Sequence, residues 1–363
     1  MTKPASGKIS NIVLSILGVI FLIFSTFQAK ADDHQNAHAE ESFNPGEMIF
    51  DHVLDAHDWH ILTIGHKHIS VPLPIIIVDR LDSKIHIFSS SKLAHGHSHL
   101  GYKLGTEGDL KGKIIRESNS STDGILDFSI TKTVFAIFFS AILMIILFLS
   151  IAKSYRTRED KAPKGMQSAL EPIILFVRDD IAKAAIGSKK YMKYMPFLLT
   201  IFFFIVINNL LGLIPIFPGG SNVNGNIGVT MILAVFTFII TSVSASKSYW
   251  THMINMPGVP WWLKFPLPLM PIVEIMGMFT KPFVLMVRLF ANILAGHIVI
   301  LGFMSMIFIF GTINMYLGYG VSIISVAFSV FLFLLEILVA FIQAYVFTLL
   351  SALYFGMALE EHH

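Results

Sequence analysis

The sequence predicts an all-α integral membrane protein with a small polar N-terminal domain that has some β structure. Three observations predict it. Of 363 residues, 54% are hydrophobic and 14% charged, a balance too apolar for a soluble enzyme of this length. Five apolar segments long enough to cross a bilayer follow one another after Lys132. Ahead of them, residues 32–128 are polar and contain no run of that length.

The N-terminus has the layout of a signal peptide over residues 1–31. Lys3 and Lys8 precede an apolar run at 12–27, and Ala29-Lys30-Ala31 offers small residues before Asp32. An uncleaved first span is the alternative, although the run is short against the roughly 20 residues a spanning helix needs. The expected mature chain therefore begins near Asp32 with an exported domain over 32–128, followed by a membrane domain over 129–363. The exported part holds eleven of the fifteen histidines, and short strands are predicted at 75–78 and 84–88 from apolar runs bounded by Pro, Asp and Ser.

Those histidines raise the question of metal binding. His57, His60, His95, His97 and His99, with Asp55 and Asp58 nearby, offer imidazole and carboxylate ligands. Short histidine tracts in loops are often just solvated, and no helical His-Glu-x-x-His spacing is present, so no metal is assigned. The chain has no cysteine, which excludes disulfides, Cys-ligated zinc, iron-sulfur clusters and thiol catalysis. A net charge of +2 argues for no nucleic-acid partner.

The five predicted spans cover 133–152, 197–217, 227–243, 283–310 and 321–358. Between the first two, Arg156, Arg158, Lys161, Lys164, Arg178, Lys183, Lys189 and Lys190 make a basic loop, whereas 218–226 and 311–320 carry no charge. By the positive-inside rule the basic loop is cytoplasmic, which agrees with an exported N-terminus and leaves Glu360 and Glu361 inside. Within that loop, Leu170, Ile173, Ile174, Val177, Ile181 and Ala184 recur every three or four residues, predicting a helix over 165–187 with one apolar face. It lies along the membrane surface or a neighbour, or simply connects two spans.

The last two segments would be about 42 Å and 57 Å as helix, against a hydrocarbon core of about 30 Å. They must tilt, kink or run partly in the membrane plane, and such helices can wrap a curved partner. Between Lys281 and Glu360 the only formal charges are Arg288 and Glu336, one on each. Ionisable groups in that setting usually face a protein interior or an aqueous path. Arg288 could also snorkel to the headgroups, lying five residues into its run. Ala291, Asn292 and Ala295 fall within about 60° of it on a helix, a stripe that lets another helix approach closely. His297 faces about 180° away, where it could relay protons or pair with Glu336. Glu336 and Gln343 share a face with Ala340 between them. A secondary ion transporter or channel would use the same features, but no inverted repeat is visible.

The run Arg288-Leu289-Phe290-Ala291-Asn292-Ile293-Leu294-Ala295-Gly296-His297 closely resembles the arginine motif of ATP synthase subunit a. Ile342-Gln343-Ala344-Tyr345-Val346-Phe347 resembles that family's C-terminal signature, and Asn208-Asn209-Leu210-Leu211-Gly212-Leu213-Ile214-Pro215 a third segment of it. The resemblance covers roughly residue 128 to the C-terminus. It implies the proton-translocating stator subunit of an F-type rotary ATP synthase in a bacterial inner membrane, beside a ring of c subunits, with b subunits of the peripheral stalk and the remaining synthase subunits as partners. Two offset half-channels would lead protons to and from the ring.

On this resemblance Arg288 is the essential arginine and Gln343 the amide that accompanies it. Glu336 and His297 line the external path, with the two residue types exchanged relative to some relatives, and Glu274 serves the cytoplasmic path. Asn292, Asn208 and Asn209 are further candidates. No cofactor and no ATP site are expected in this chain.

Overall fold

A computed structural model describes residues 45–64, 67–106, 108–157, 162–254 and 269–360. The signal-type segment at 1–31 lies outside the described residues. The N-terminal region begins with α1 (Pro45–Val53) and continues through seven short strands. These are β1 (Asp58–Ile64), β2 (Lys67–Pro72), β3 (Pro74–Asp79), β4 (Lys84–Ser89), β5 (Tyr102–Leu104), β6 (Ile114–Arg116) and β7 (Ile125–Asp127). They pair antiparallel as β1-β2, β4-β3-β7 and β5-β6. The two strands expected from the sequence are β3 and β4, each slightly longer than predicted.

Alternation along β3 buries Ile75, Ile77 and Asp79 on one face, where Phe88, Leu93, Tyr102 and Ile114 complete a small core. Asp79 is fully buried, and its carboxylate accepts from the Tyr102 hydroxyl at 2.5 Å, from the Arg116 guanidinium and from the Leu81 N–H at 2.8 Å. Burial alone would raise its pKa, but these partners outweigh it and hold the carboxyl below the usual range. Burial, reinforced by the Asp79 carboxylate, pushes the Tyr102 phenol up to about 12.

A depressed carboxyl contributes stability above its unfolded pKa of about 3.9, and that stability is lost as pH falls through the folded value. Asp79→Asn is therefore expected to destabilise this region by on the order of 3 kcal/mol at neutral pH, because Arg116 is left without its counter-charge. Limited proteolysis of the full chain measures this, and an unchanged cleavage rate would contradict it.

The membrane part comprises α2 (Lys132–Thr157), α3 (Met166–Phe176), α4 (Tyr191–Leu213), α5 (Ile227–Ser244), the short α6 (Lys247–Ile254), α7 (Leu269–Ile313) and α8 (Met315–Leu359). Five of these helices, all but α3 and α6, are long and apolar enough to cross a membrane. Helix α4 ends at Leu213, before the predicted limit at residue 217. Pro215 pushes Ile214 into an extended conformation, φ −83° and ψ 113°.

The predicted amphipathic helix exists between Gly165 and Gly187, both at positive φ, but it is not a free surface helix. After α3 the backbone widens into a π turn at Val177–Lys183 and closes with one α turn at Ala184–Ile186. Val177 and Ile181 are fully buried in the membrane core with Leu198, Ile205, Leu285, Leu289, Phe347 and Phe355. Its end meets α8 so closely that a Cβ on Gly356 would stand 2.0 Å from the Ala185 carbonyl oxygen.

Helices α7 and α8 have 45 residues each, about 67 Å of helix, longer than predicted because both extend beyond their apolar runs. Only Asn314 separates them, and its side chain caps α8 by accepting from the Tyr316 N–H. They form a tight antiparallel hairpin. Gly318 lies against Gly311, and the rings of Phe303 and Phe328 stack at 5.3 Å.

Candidate functional site

The hairpin register brings His297 of α7 to Glu336 of α8, with Nδ1 3.5 Å from Oε1. Close approach there depends on Gly296, since a Cβ would stand only 2.8 Å from the same carboxylate oxygen. Glu336 is 6% exposed, and among the described residues neither of its oxygens has a hydrogen-bond partner. It lies on the buried stripe of α8, where Ser325, Ser329, Glu336, Ala340 and Gln343 follow one another every three to seven residues. In place of the large apolar side chains that fill the rest of the bundle, this stripe carries small and polar ones.

The asparagines of α4 close the other side. Asn209 Nδ2 donates to the Ala340 carbonyl at 3.3 Å, midway between Glu336 and Gln343. Asn224, from the α4–α5 loop, donates to Asn209 Oδ1 at 2.7 Å and to the Ile205 carbonyl at 3.2 Å. Asn208 donates to the Phe204 carbonyl at 2.8 Å, leaving its Oδ1 buried without a partner among the described residues.

The loop itself turns inward. Gly220 N–H donates back to the Leu211 carbonyl, and Ser221, Asn222, Val223 and Asn224 are all buried. A Cβ on Gly212 would stand 3.2 Å from the Ser221 carbonyl oxygen and 3.7 Å from His297 Nε2. Ser221 Oγ, Asn222 Nδ2, Asn224 Oδ1 and Ser329 Oγ join the Glu336 oxygens as buried polar atoms unpaired within the described residues. Buried polar atoms are ordinarily paired, with protein or with ordered water.

Arg288 lies about 28 Å along α7, which starts at Leu269. Arg288, Ala291, Asn292 and Ala295 are all exposed and form one stripe. Leu285, Leu289 and Ile293 face the core on the other side. No hydrogen bond or ion pair to Arg288 occurs among the described residues. Carried on from Gly296 and Glu336, the antiparallel register sets Arg288 at the height of Gln343 and Ala344. Gln343 is buried, at 6% exposure.

Glu274 sits at the opposite end from the asparagine loop, in a cleft lined by Tyr249, His252, Lys281, Met357 and Glu360. Burial, with Glu274 adding to it, raises the Tyr249 phenol above its ordinary range. A second cavity continues from Tyr249 and Lys281 to Thr237, Pro282 and Tyr354. Lys281 Nζ lies 5.8 Å from the centre of the Tyr354 ring. Polar groups thus gather around Glu274 at one end of the bundle, and around the loop and Glu336 at the other.

Sequence reasoning missed Ser221, Asn222, Asn224 and Ser329 at one end, and Tyr249, Lys281 and Tyr354 at the other. The only advance signal was the amide-rich, uncharged composition of 218–226. Two of the candidate histidines of the N-terminal region have partners of their own. His57 Nε2 pairs with Asp127 Oδ2 at 2.8 Å, and His99 Nε2 lies 3.3 Å from Lys92 Nζ with its ring edge-on to Phe88. His97 is exposed, and the side chains of His60 and His95 lie outside the described residues. Among the described residues no three His, Cys, Asp or Glu groups are placed to hold a metal ion.

Residues 134–356 match the family described as ATP synthase A chain, and residues 48–129 match one described as a domain of unknown function (DUF8433). ATP synthase subunit a of Chloroherpeton thalassium is 43% identical over 247 residues, 66% of this chain and 70% of that protein. The namesake of Chlorobium phaeobacteroides (strain BS1) is 41% identical over 288 residues, 73% and 81% of the two chains. That of Myxococcus xanthus is 42% identical over 249 residues, 66% and 77%. With the family covering more than half of its length, and with five apolar helices around this site, the chain belongs to the ATP synthase A chain family, the proton-translocating stator subunit of rotary ATP synthases.

Proposed function

We propose that this chain forms two offset aqueous half-channels beside a ring of c subunits, and that Arg288 keeps them apart. The exposed Arg288 stripe carries this reading. A permanent charge on a membrane helix, with no counter-charge among the described residues of its own chain, is costly against lipid, so it faces water or a protein partner. The small residues Ala291 and Ala295 beside it admit another helix at close range.

Arginine keeps its charge throughout the physiological range, so it lowers the pKa of a ring carboxylate brought beside it and releases the proton. The same charge opposes a hydronium-like species passing directly from one half-channel to the other. Each proton crossing yields about 2.3 kcal/mol per 100 mV, so several must be coupled to make one ATP, and leakage past Arg288 would waste them.

The external path runs along Ser221, Asn222, Asn224 and Ser329 to the His297–Glu336 pair, where imidazole and carboxyl exchange a proton. Asn209 ties α4 to α8 through the Ala340 carbonyl, while Asn208 bonds within α4. Gln343 and Asn292 flank the arginine, able to hydrogen-bond but not to carry a proton. The internal path runs from Glu274 by Tyr249, Lys281 and Tyr354.

The clustering of Arg156, Lys164, Lys189 and Lys190 supports a cytoplasmic location for that end, with the N-terminal β region outside. The inner membrane of a bacterium, export led by a signal peptide over 1–31, and domains at 32–128 and 129–363 complete this reading. Peripheral-stalk b subunits complete the partners. Purifying the tagged chain from mild detergent is expected to bring the c ring and catalytic subunits with it; recovery of the chain alone, from membranes that make ATP, would favour a free-standing transporter.

A further inference from the structure

We propose that the N-terminal β region holds the lining of the external proton path in place, with Trp59 as the positioning residue. The inference rests on the external path proposed above. Trp59, at the start of β1, is 4% exposed, yet it is not part of the β region's own core. Its ring meets Phe135 of α2 edge-on at 5.6 Å and Phe217 of the α4–α5 loop at 5.2 Å, and Phe135 and Phe217 lie 5.7 Å apart. Val223 and Ala136 close the cluster.

Phe217 and Val223 bracket the inward turn that carries Ser221 and lead directly to Asn224. Two steps then reach the proton-handling groups. Ser221 packs on Gly212 beside His297, and Asn224 bonds Asn209, which bonds the α8 backbone at Ala340, one turn from Glu336.

The β region is also fastened to the first span. Asp55 Oδ1 accepts from the Thr133 N–H at 3.0 Å, and the Ala56 carbonyl accepts from the Lys132 N–H at 2.9 Å. Two of the N–H groups that any helix start leaves unpaired are thus satisfied from outside α2. A loop between spans is ordinarily a mobile element. Here an aromatic side chain from another region is wedged between it and α2, so the shape of the loop depends on that region being seated.

The test uses the complete synthase in vesicles, comparing wild type, Trp59→Ala, Trp59→Phe and Glu336→Gln per assembled complex. Trp59→Ala is expected to slow proton-driven ATP synthesis at least threefold and to change its dependence on external pH, with Trp59→Phe recovering more than half of the rate. Fewer complexes with an unchanged rate and pH profile per complex would mean a merely structural Trp59 and would overturn the proposal. If Glu336→Gln left the rate intact, the external path itself would be wrong; loss with Glu336→Gln but not with Trp59→Ala would reject the positioning role alone. Should Trp59→Ala not assemble, amide exchange across 214–226 in the Trp59→Phe complex decides. Faster exchange supports the wedge and unchanged exchange refutes it.

Discussion

Arg288→Ala is expected to lower proton-driven ATP synthesis in reconstituted vesicles by at least about a hundredfold, while the complex still assembles. The side chain is exposed on α7 and anchors nothing in the core, since Leu285, Leu289 and Ile293 do that from the opposite face. Truncation should therefore spare the fold and remove only the charge. Without it a ring carboxylate would keep its proton on reaching the stator, and nothing would oppose protons moving between the two paths. Passive proton leak should rise as synthesis falls. Arg288→Lys should rescue only in part, because a lysine in such surroundings can lose its proton and lacks the planar fork of donors. Wild-type synthesis by Arg288→Ala would remove the core of the account.

Exchanging the partners of the buried pair, His297→Glu with Glu336→His, is expected to retain more ATP-driven proton pumping than either His297→Ala or Glu336→Gln alone. Each single change should cost about a hundredfold or more, the scale of losing one positioned proton-transfer group. The reason is geometric. Nδ1 and Oε1 face each other at 3.5 Å beside a glycine, and among the described residues Glu336 has no hydrogen bond, so the path proposed above depends there on the pair. Removing one partner also strands the other in a buried site. Equal loss in the exchanged and single variants would show that the two side chains act separately. Acidification of inverted vesicles on adding ATP is the readout.

The parts legible in the sequence were those fixed by local chemistry. Hydrophobic length gave five crossings, and Arg288 and Glu336 stood out as the only charges between Lys281 and Glu360. Helical periodicity correctly set His297 away from the arginine stripe and put Glu336 and Gln343 on one buried face. Pairing across the hairpin was left open by the sequence, because it depends on a turn of one residue at Asn314 and on glycines that allow close packing.

Longer-range dependence hid the rest. The loop after α4 reads as an ordinary polar connection, and its inward fold rests on Trp59, far away in the chain. Asp79, Tyr102 and Arg116 carry no local signature, yet they form the polar centre of the N-terminal region. The π turn at Val177–Lys183 likewise follows from fitting Val177 and Ile181 into the same core, a demand that periodicity alone does not reveal.

The proposed contact of the Arg288 stripe with a moving ring can be measured directly, because the chain contains no cysteine and an introduced thiol is unique within it. Ala291→Cys and Ala295→Cys lie on the exposed stripe, while Ile293→Cys points into the core. Each is combined with a single cysteine in the membrane helix of the c subunit, next to its carboxylate, and the assembled complex is oxidised. Disulfides from positions 291 and 295, with none from 293, are the predicted result. Assembled complexes that cross-link at neither 291 nor 295, or equally well at 293, would contradict the account.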